Sequence, residues 1–256
     1  MSSDTTAEKS HIHLEQRKSL ITLEATIDAL ILHTLDASQL DQLNIKRQSM
    51  ALEKGSDLKP HFFAPKANLP QPSKKLIRKS VEHLNNKDAF ADPMSRVYHF
   101  EVAWSSYAFS YANFRCENEQ WRSMNAGDYN SFKHLYKYDK PDFSVFTIMD
   151  IPEEQSPHLK AVIYNGLEGE DSTLLIILRL MLSRLRKVRL LHHNIVPILI
   201  VSFLGKSARL LESYFDCESL VLRSSDLYEL SEQTTTSMVF KGFADWFLGD
   251  PAGKTF

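Results

Sequence analysis

The residues with the chemistry to act are few and scattered along this chain of 256 residues. Cys116 and Cys217 lie far apart, and neither belongs to a nucleophile motif. His192 and His193 are adjacent, so their rings point in different directions. They lack the i, i+4 spacing of a helical metal pair and have no cysteine or carboxylate close by in sequence, so they read as loop histidines after a helix. His11 and His13 fall in a polar N-terminal stretch. No Gly-rich phosphate loop and no nucleophile elbow is present, and eight glycines in all leave little backbone for close approach to phosphates.

Basic side chains cluster twice. Lys54, Lys59, Lys66, Lys74, Lys75, Arg78, Lys79 and Lys87 outnumber Asp57, Glu82 and Asp88 over the same stretch. A basic stripe can contact phosphates, but no aromatic is interleaved to stack bases, so a solvated face is expected. The second set, Arg179, Arg184, Arg186, Lys187 and Arg189, follows Glu168, Glu170 and Asp171. Acids at the start of a helix and bases at its end complement the macrodipole, a sufficient structural reason for the pattern.

A formal charge of −2 makes no global case for nucleic acid or a membrane surface. Two cysteines cannot make a disulfide framework, which suits a reducing compartment. The start, Met1 to Lys9, is polar and acid-containing, unlike a targeting peptide. Arg179 and Arg184 interrupt the longest apolar helix, and the run from Ile195 is too short to span a bilayer. An intracellular protein, cytoplasmic or nuclear and without a membrane segment, is the expectation.

The elements that must position any site centre on Leu159 to Leu204. Leu159 to Tyr164 reads as a strand, about Ser172 to Leu191 as a long helix, and Ile195 to Leu204 as a strand buried on both faces. That is a βαβ crossover. The fold expected is α/β: a central mixed sheet with a long crossover helix, plus an N-terminal helical hairpin. Residues 1–12 read as a disordered tail and 13–55 as a helical arm. In the arm Leu20, Leu23, Ile27, Leu30 and Ile31 form one stripe. A second helix, capped by Ser38 with Asp41, would carry Leu40, Leu43, Arg47 and Met50 and end at Gly55. The arm's stripe would pack on the chain's own core or mediate self-association or binding of a protein partner. Pro60, Pro65, Pro70 and Pro72 make 56–73 a linker; 74–250 is the α/β domain and 251–256 a tail.

Within that domain a helix over 74–84 is capped by Ser73. Phe100, Trp104, Tyr107, Tyr111 and Phe114 fall on one helical face, more simply core than a stacking platform. A short helical stretch through Phe132, Leu135 and Tyr136 precedes a strand over 143–149. Strands over 208–215 and 220–223 and a helix over 237–248 complete the pattern.

The order helix, strand starting at Pro141-Asp142, strand Lys160 to Tyr164, long helix, strand Val196 to Phe203 resembles the core of the PD-(D/E)XK nuclease-like fold. The run Val196 to Gly205 followed by Glu212-Ser213-Tyr214-Phe215-Asp216 is also similar to uncharacterised fungal proteins. This resemblance covers about residues 115 to 216. It implies that Asp142 matches the metal-binding aspartate and that Glu119, placed before Trp121 at a helix start, matches the accessory glutamate. An acid and, two residues on, a lysine should then stand on the next strand. Metal-dependent hydrolysis needs that second carboxylate to complete an oxygen cage and the lysine to hold the attacking water. The strand reads Ala161-Val162-Ile163-Tyr164-Asn165-Gly166, with Lys160 at its wrong end. A lone Asp142 does not hold Mg²⁺. The expectation is therefore a non-enzymatic intracellular interaction or scaffold protein on a degenerate nuclease-like core, with no cofactor. Its alternative is a metal-dependent nuclease or nucleic-acid-binding protein using Glu119, Asp142 and Lys160, with Mg²⁺ on Asp142.

Overall fold

The computed structural model describes residues 2–30, 35–85, 93–111, 121–124, 135–137, 143–151, 156–165 and 171–256. In chain order the elements are α1 (Ser2–Ala29), α2 (Ala37–Gln42), β1 (Ile45–Ser49), β2 (Phe63–Ala64), α3 (Lys74–Asn85), α4 (Pro93–Ser110) and β3 (Arg122–Met124). There follow β4 (Tyr136–Lys137), β5 (Phe143–Asp150), β6 (Leu159–Asn165), α5 (Asp171–Leu185) and a 3-10 turn, Val188–Leu190. The chain closes with β7 (Ile198–Leu204), β8 (Ser207–Phe215), β9 (Leu220–Ser224), β10 (Tyr228–Glu229), α6 (Gln233–Phe247) and β11 (Asp250–Pro251).

A nine-stranded mixed sheet runs β1-β9-β8-β7-β6-β5-β3, with β10 added to β8 and β4 to β5. The expected α/β class and its crossover are present: β6 and β7 pair in parallel and α5 connects them. Every residue of β6 and β7 is buried, as their continuous apolar runs require. Gly205, at φ +57°, turns β7 into β8, and the register pairs Leu204 with Ser207.

Helices cover both faces of the sheet. On one face α5 packs on β5, β6 and β7, and α1 packs on α5 through Leu20 and Ile27. Leu174, Ile176, Ile177, Leu178, Leu180, Met181 and Leu182 are all fully buried, because α1 shields the side of α5 that the sheet cannot reach. A helix that is apolar all round needs such a second cover. Arg179 of α5 is held by α1, its Nε donating to Glu24 at 2.9 Å and Nη2 to Asp28 at 2.9 Å. The other face carries α3, α4 and α6, with Phe100, Trp104, Phe240, Phe243 and Phe247 in one core. Phe100, Trp104 and Tyr107 of the aromatic stripe are buried on α4; Tyr111 is exposed just beyond it, and Phe114 lies outside the described residues.

Several local expectations are corrected. Residues 2–12 form the first turns of α1. The second N-terminal helix ends at Gln42, capped by Asp36 with Gln39 completing the box, instead of by Ser38. Asn44, at φ 53°, turns the chain, and 45–49 form an edge strand parallel to β9. Residues 56–73 carry Phe62, Phe63 and Leu69 into the core, and β2 pairs with β11. The segment 251–256 is likewise folded in: Thr255 is buried and its carbonyl accepts from the N–H groups of Asn194 and Ile195. Tyr136–Lys137 is strand paired to β5, not helix, and Trp121 leads into β3. At 45–49 and 136–137 pairing with a distant strand outweighs the local helical pattern.

Candidate functional site

The sheet itself carries a row of charged side chains. Register places Met149, Lys160, Leu199, Glu212, Arg223 and Gln48 side by side across β5, β6, β7, β8, β9 and β1. Lys160, Glu212 and Arg223 of this row are buried. They face the segment 58–64 and the chain after α6. Glu212 accepts two backbone hydrogen bonds, from the N–H of His61 at 2.9 Å and of Phe62 at 2.8 Å. Arg223 donates to Glu212 at 2.5 Å and to the carbonyls of Lys59 and Leu58, both at 3.0 Å. The pair thus supplies partners to main chain that no regular element satisfies.

Lys160 is fully buried, and its Nζ donates to the carbonyl of Gly249. The ammonium lies 3.6 Å from the centroid of the Trp121 ring and 5.8 Å from that of Phe63. Trp121 Nε1 donates to the same carbonyl at 2.9 Å. Burial pulls Lys160 well below the ordinary lysine pKa, against the opposing charge of Asp250. At Gly249 a Cβ would stand 1.7 Å from the Ala64 carbonyl oxygen, so this closure tolerates no side chain.

The nearest described acid on the neighbouring strand points the other way. Asp150 pairs in register with Leu159, one residue before Lys160, and so lies on the α5 face. It is fully buried and bonded by Arg184 at 2.9 Å, Lys187 at 3.3 Å and Arg122 at 3.4 Å. Arg184 also donates to the carbonyl of Ser156 at 2.6 Å, joining the end of α5 to the entrance of β6. Burial, then the neighbouring Arg184, lowers the Lys187 pKa. His158 completes this corner. Its Nε2–H donates to the Ala252 carbonyl at 2.9 Å, which leaves Nδ1 to accept from Ser156 Oγ at 2.8 Å. Desolvation lowers its pKa to about 4, so the ring is neutral at pH 7.

Of the site residues expected from sequence, only Lys160 can be placed; Glu119 and Asp142 lie outside the described residues. Lys160 is sealed between rings and a carbonyl, with no carboxylate two residues before it. Among the described residues, no three His, Cys, Asp or Glu side chains gather as a metal ion would need. His193, one of the two loop histidines, bonds Thr255 Oγ1 at 2.7 Å through Nδ1 and holds the C-terminal segment.

Sequence reasoning missed Asp150, Glu212, Arg223 and His158. A usable signal existed for one pair: a turn at 216–219 that sets Phe215 against Leu220 also sets Glu212 against Arg223. It also missed an open cleft of about 1020 Å³ between the outer face of α6, the start of α3, and the Leu52-Glu53 and Asp226–Tyr228 segments. Its floor is Thr234, Ser237, Met238, Lys241, Gly242 and Asp245, one helical face of α6. Asp245, 5% exposed, accepts on Oδ2 from Lys241 at 2.8 Å and Lys54 at 3.0 Å. No helix among the described residues is long and apolar enough to cross a membrane. No family model, no curated protein and no solved structure matches this chain.

Proposed function

We propose that the chain is a non-enzymatic intracellular interaction protein built on a degenerate nuclease-like α/β core. One observation carries the reading: Lys160, the lysine a nuclease centre would require, is fully buried and committed to the Gly249 carbonyl. An ammonium so enclosed has no path to a phosphodiester or to an attacking water, and its low proton affinity weakens it as a charge stabiliser. The other charges of its row bond main chain of the protein itself. Among the described residues a cleft along α6 is open to solvent, lined by side chains of mixed polarity, as a docking surface needs.

A metal-dependent nuclease is the second reading, and one specific observation favours it. Helix α4 precedes strands β3, β5 and β6, helix α5 and strand β7, and those four strands are adjacent in the sheet in that order. Incubating the purified protein with supercoiled plasmid, single-stranded DNA and RNA in Mg²⁺ or Mn²⁺ separates the two. The interaction reading expects no cleavage. Cleavage that disappears in Asp142→Ala overturns it.

A further inference from the structure

The cleft along α6 runs from Thr234 to Asp245, twelve residues of helix with a rise of about 16 Å. That length matches about five residues of extended chain, longer than a small metabolite requires. One end is chemically distinctive. Glu53 and Asp226 both lie close enough to Tyr228 to oppose loss of its phenolic proton, after the larger effect of burial. Neither carboxylate has an ion-pair partner among the described residues, and both line the cleft together with Tyr228. The middle of the cleft is apolar, with Leu52 on the wall and Met238, 55% exposed, on the floor. At the far end Asp245 takes both lysines on Oδ2, while its Oδ1 has no hydrogen-bond partner although the residue is 95% buried by its 5% exposure. A buried carboxylate oxygen without a donor is unusual in a finished structure and marks a place where a donor belongs.

Resting on the interaction reading above, we propose that this cleft docks a short basic peptide segment of a protein partner. A lysine or arginine of the partner lies against the face of Tyr228 between Glu53 and Asp226, where ring quadrupole and carboxylates act together. An apolar side chain next to it covers Met238 and Leu52, and the peptide's N–H groups reach towards the Asp245 end. Lys241 and Lys54 share the single negative charge of Asp245, so that end of the cleft keeps a net positive charge and the partner's basic residue lies away from it, at the Tyr228 end. Lys74, at the start of α3, also lines the cleft.

Selection from a phage-displayed library of random seven-residue peptides tests the assignment, using the full chain as bait and Glu53→Lys/Asp226→Lys as the counter-bait. Both substituted positions are exposed, and a matched melting temperature verifies the variant's fold. The expected result is enrichment of peptides with lysine or arginine beside an apolar residue. Synthetic copies should bind the wild type at least tenfold more tightly than the variant, and more weakly as salt rises. No enrichment, acidic enrichment, or peptides that bind both baits equally would overturn it. The plasmid assay reports separately on the reading beneath: cleavage by the same preparation removes the interaction reading, whereas absent cleavage with no enriched peptides removes the basic-peptide assignment alone.

Discussion

The two faces of the sheet bury charge for different reasons. On the α5 face the paired groups are mostly side chain to side chain: Arg179 with Glu24 and Asp28, and Arg184 with Asp150. On the opposite face Lys160, Glu212 and Arg223 reach main-chain atoms of 58–62 and of Gly249. What covers each face explains the contrast. Helices α1 and α5 satisfy their own backbone, so charges beneath them are free to pair with each other. The strap at 58–62 has no ladder of its own; Ala51 and Ala252 reach the Leu58 and Phe62 carbonyls, and the Lys59 carbonyl and the N–H groups of His61 and Phe62 take their partners from the sheet.

The contrast is sharpest where both members of a pair are replaced. In Glu212→Leu/Arg223→Met, the carbonyl of Lys59 and the N–H groups of His61 and Phe62 lose these partners, while the Leu58 carbonyl keeps the N–H of Ala51. At about 1–3 kcal/mol for each orphaned group, a loss of about 4 kcal/mol or more is expected in urea unfolding. A loss under about 1 kcal/mol would show that the strap's backbone finds water instead.

Next in size is an acid effect at the corner where the C-terminal segment meets β6. The folded-state pKa of His158, about 4, lies below the unfolded value of 6.5. The unfolded chain therefore binds more protons between those values, and stability contributed by the neutral ring is complete above pH 6.5 and lost as pH falls towards 4. The shift corresponds to roughly 3 kcal/mol. Lys160, His193 and Arg184 all act in the same direction on this ring. His158→Phe should flatten the decline in unfolding free energy between pH 7 and pH 4; a slope equal to that of the wild type would assign the decline elsewhere.

Lys160→Met should be smaller, within about 1–2 kcal/mol, since Trp121 still donates to the Gly249 carbonyl and a thioether fills the space between the rings. A loss above about 4 kcal/mol would mean that the ammonium is the main clamp. The smallest effect is expected on the helical face. Glu24→Leu/Arg179→Met removes both partners of a buried pair beneath self-satisfied helices, and Asp28, 41% exposed, keeps access to water. Stability should stay within about 1 kcal/mol of wild type in the same urea titration, the opposite of the Glu212/Arg223 result.

Legibility followed how local the cause was. The runs of β6 and β7 and the apolar circumference of α5 announce a sheet covered on both sides, and a lysine at position 160 inside such a run announces a buried amine. The strand Ile45–Ser49 gave no such notice: Lys46, Arg47, Gln48 and Ser49 are exposed, so neither alternation nor an apolar run marks it. Its strand character comes from β9, whose Leu220 to Ser224 lie far along the chain. The prolines of 56–73 suggested a spacer, yet they bracket Phe62 and Phe63, which the core takes in.

Composition and periodicity alone determined the α/β class, the crossover and the helices of the aromatic and C-terminal stretches, because burial of apolar surface acts on short windows of chain. Only the tertiary structure decided that Lys160 and Asp150 point to opposite faces and that Glu212 and Arg223 serve a strap. It alone also left the α6 face open as a cleft. Those outcomes depend on strand register and on which distant segment covers which face, and no local window of sequence contains either.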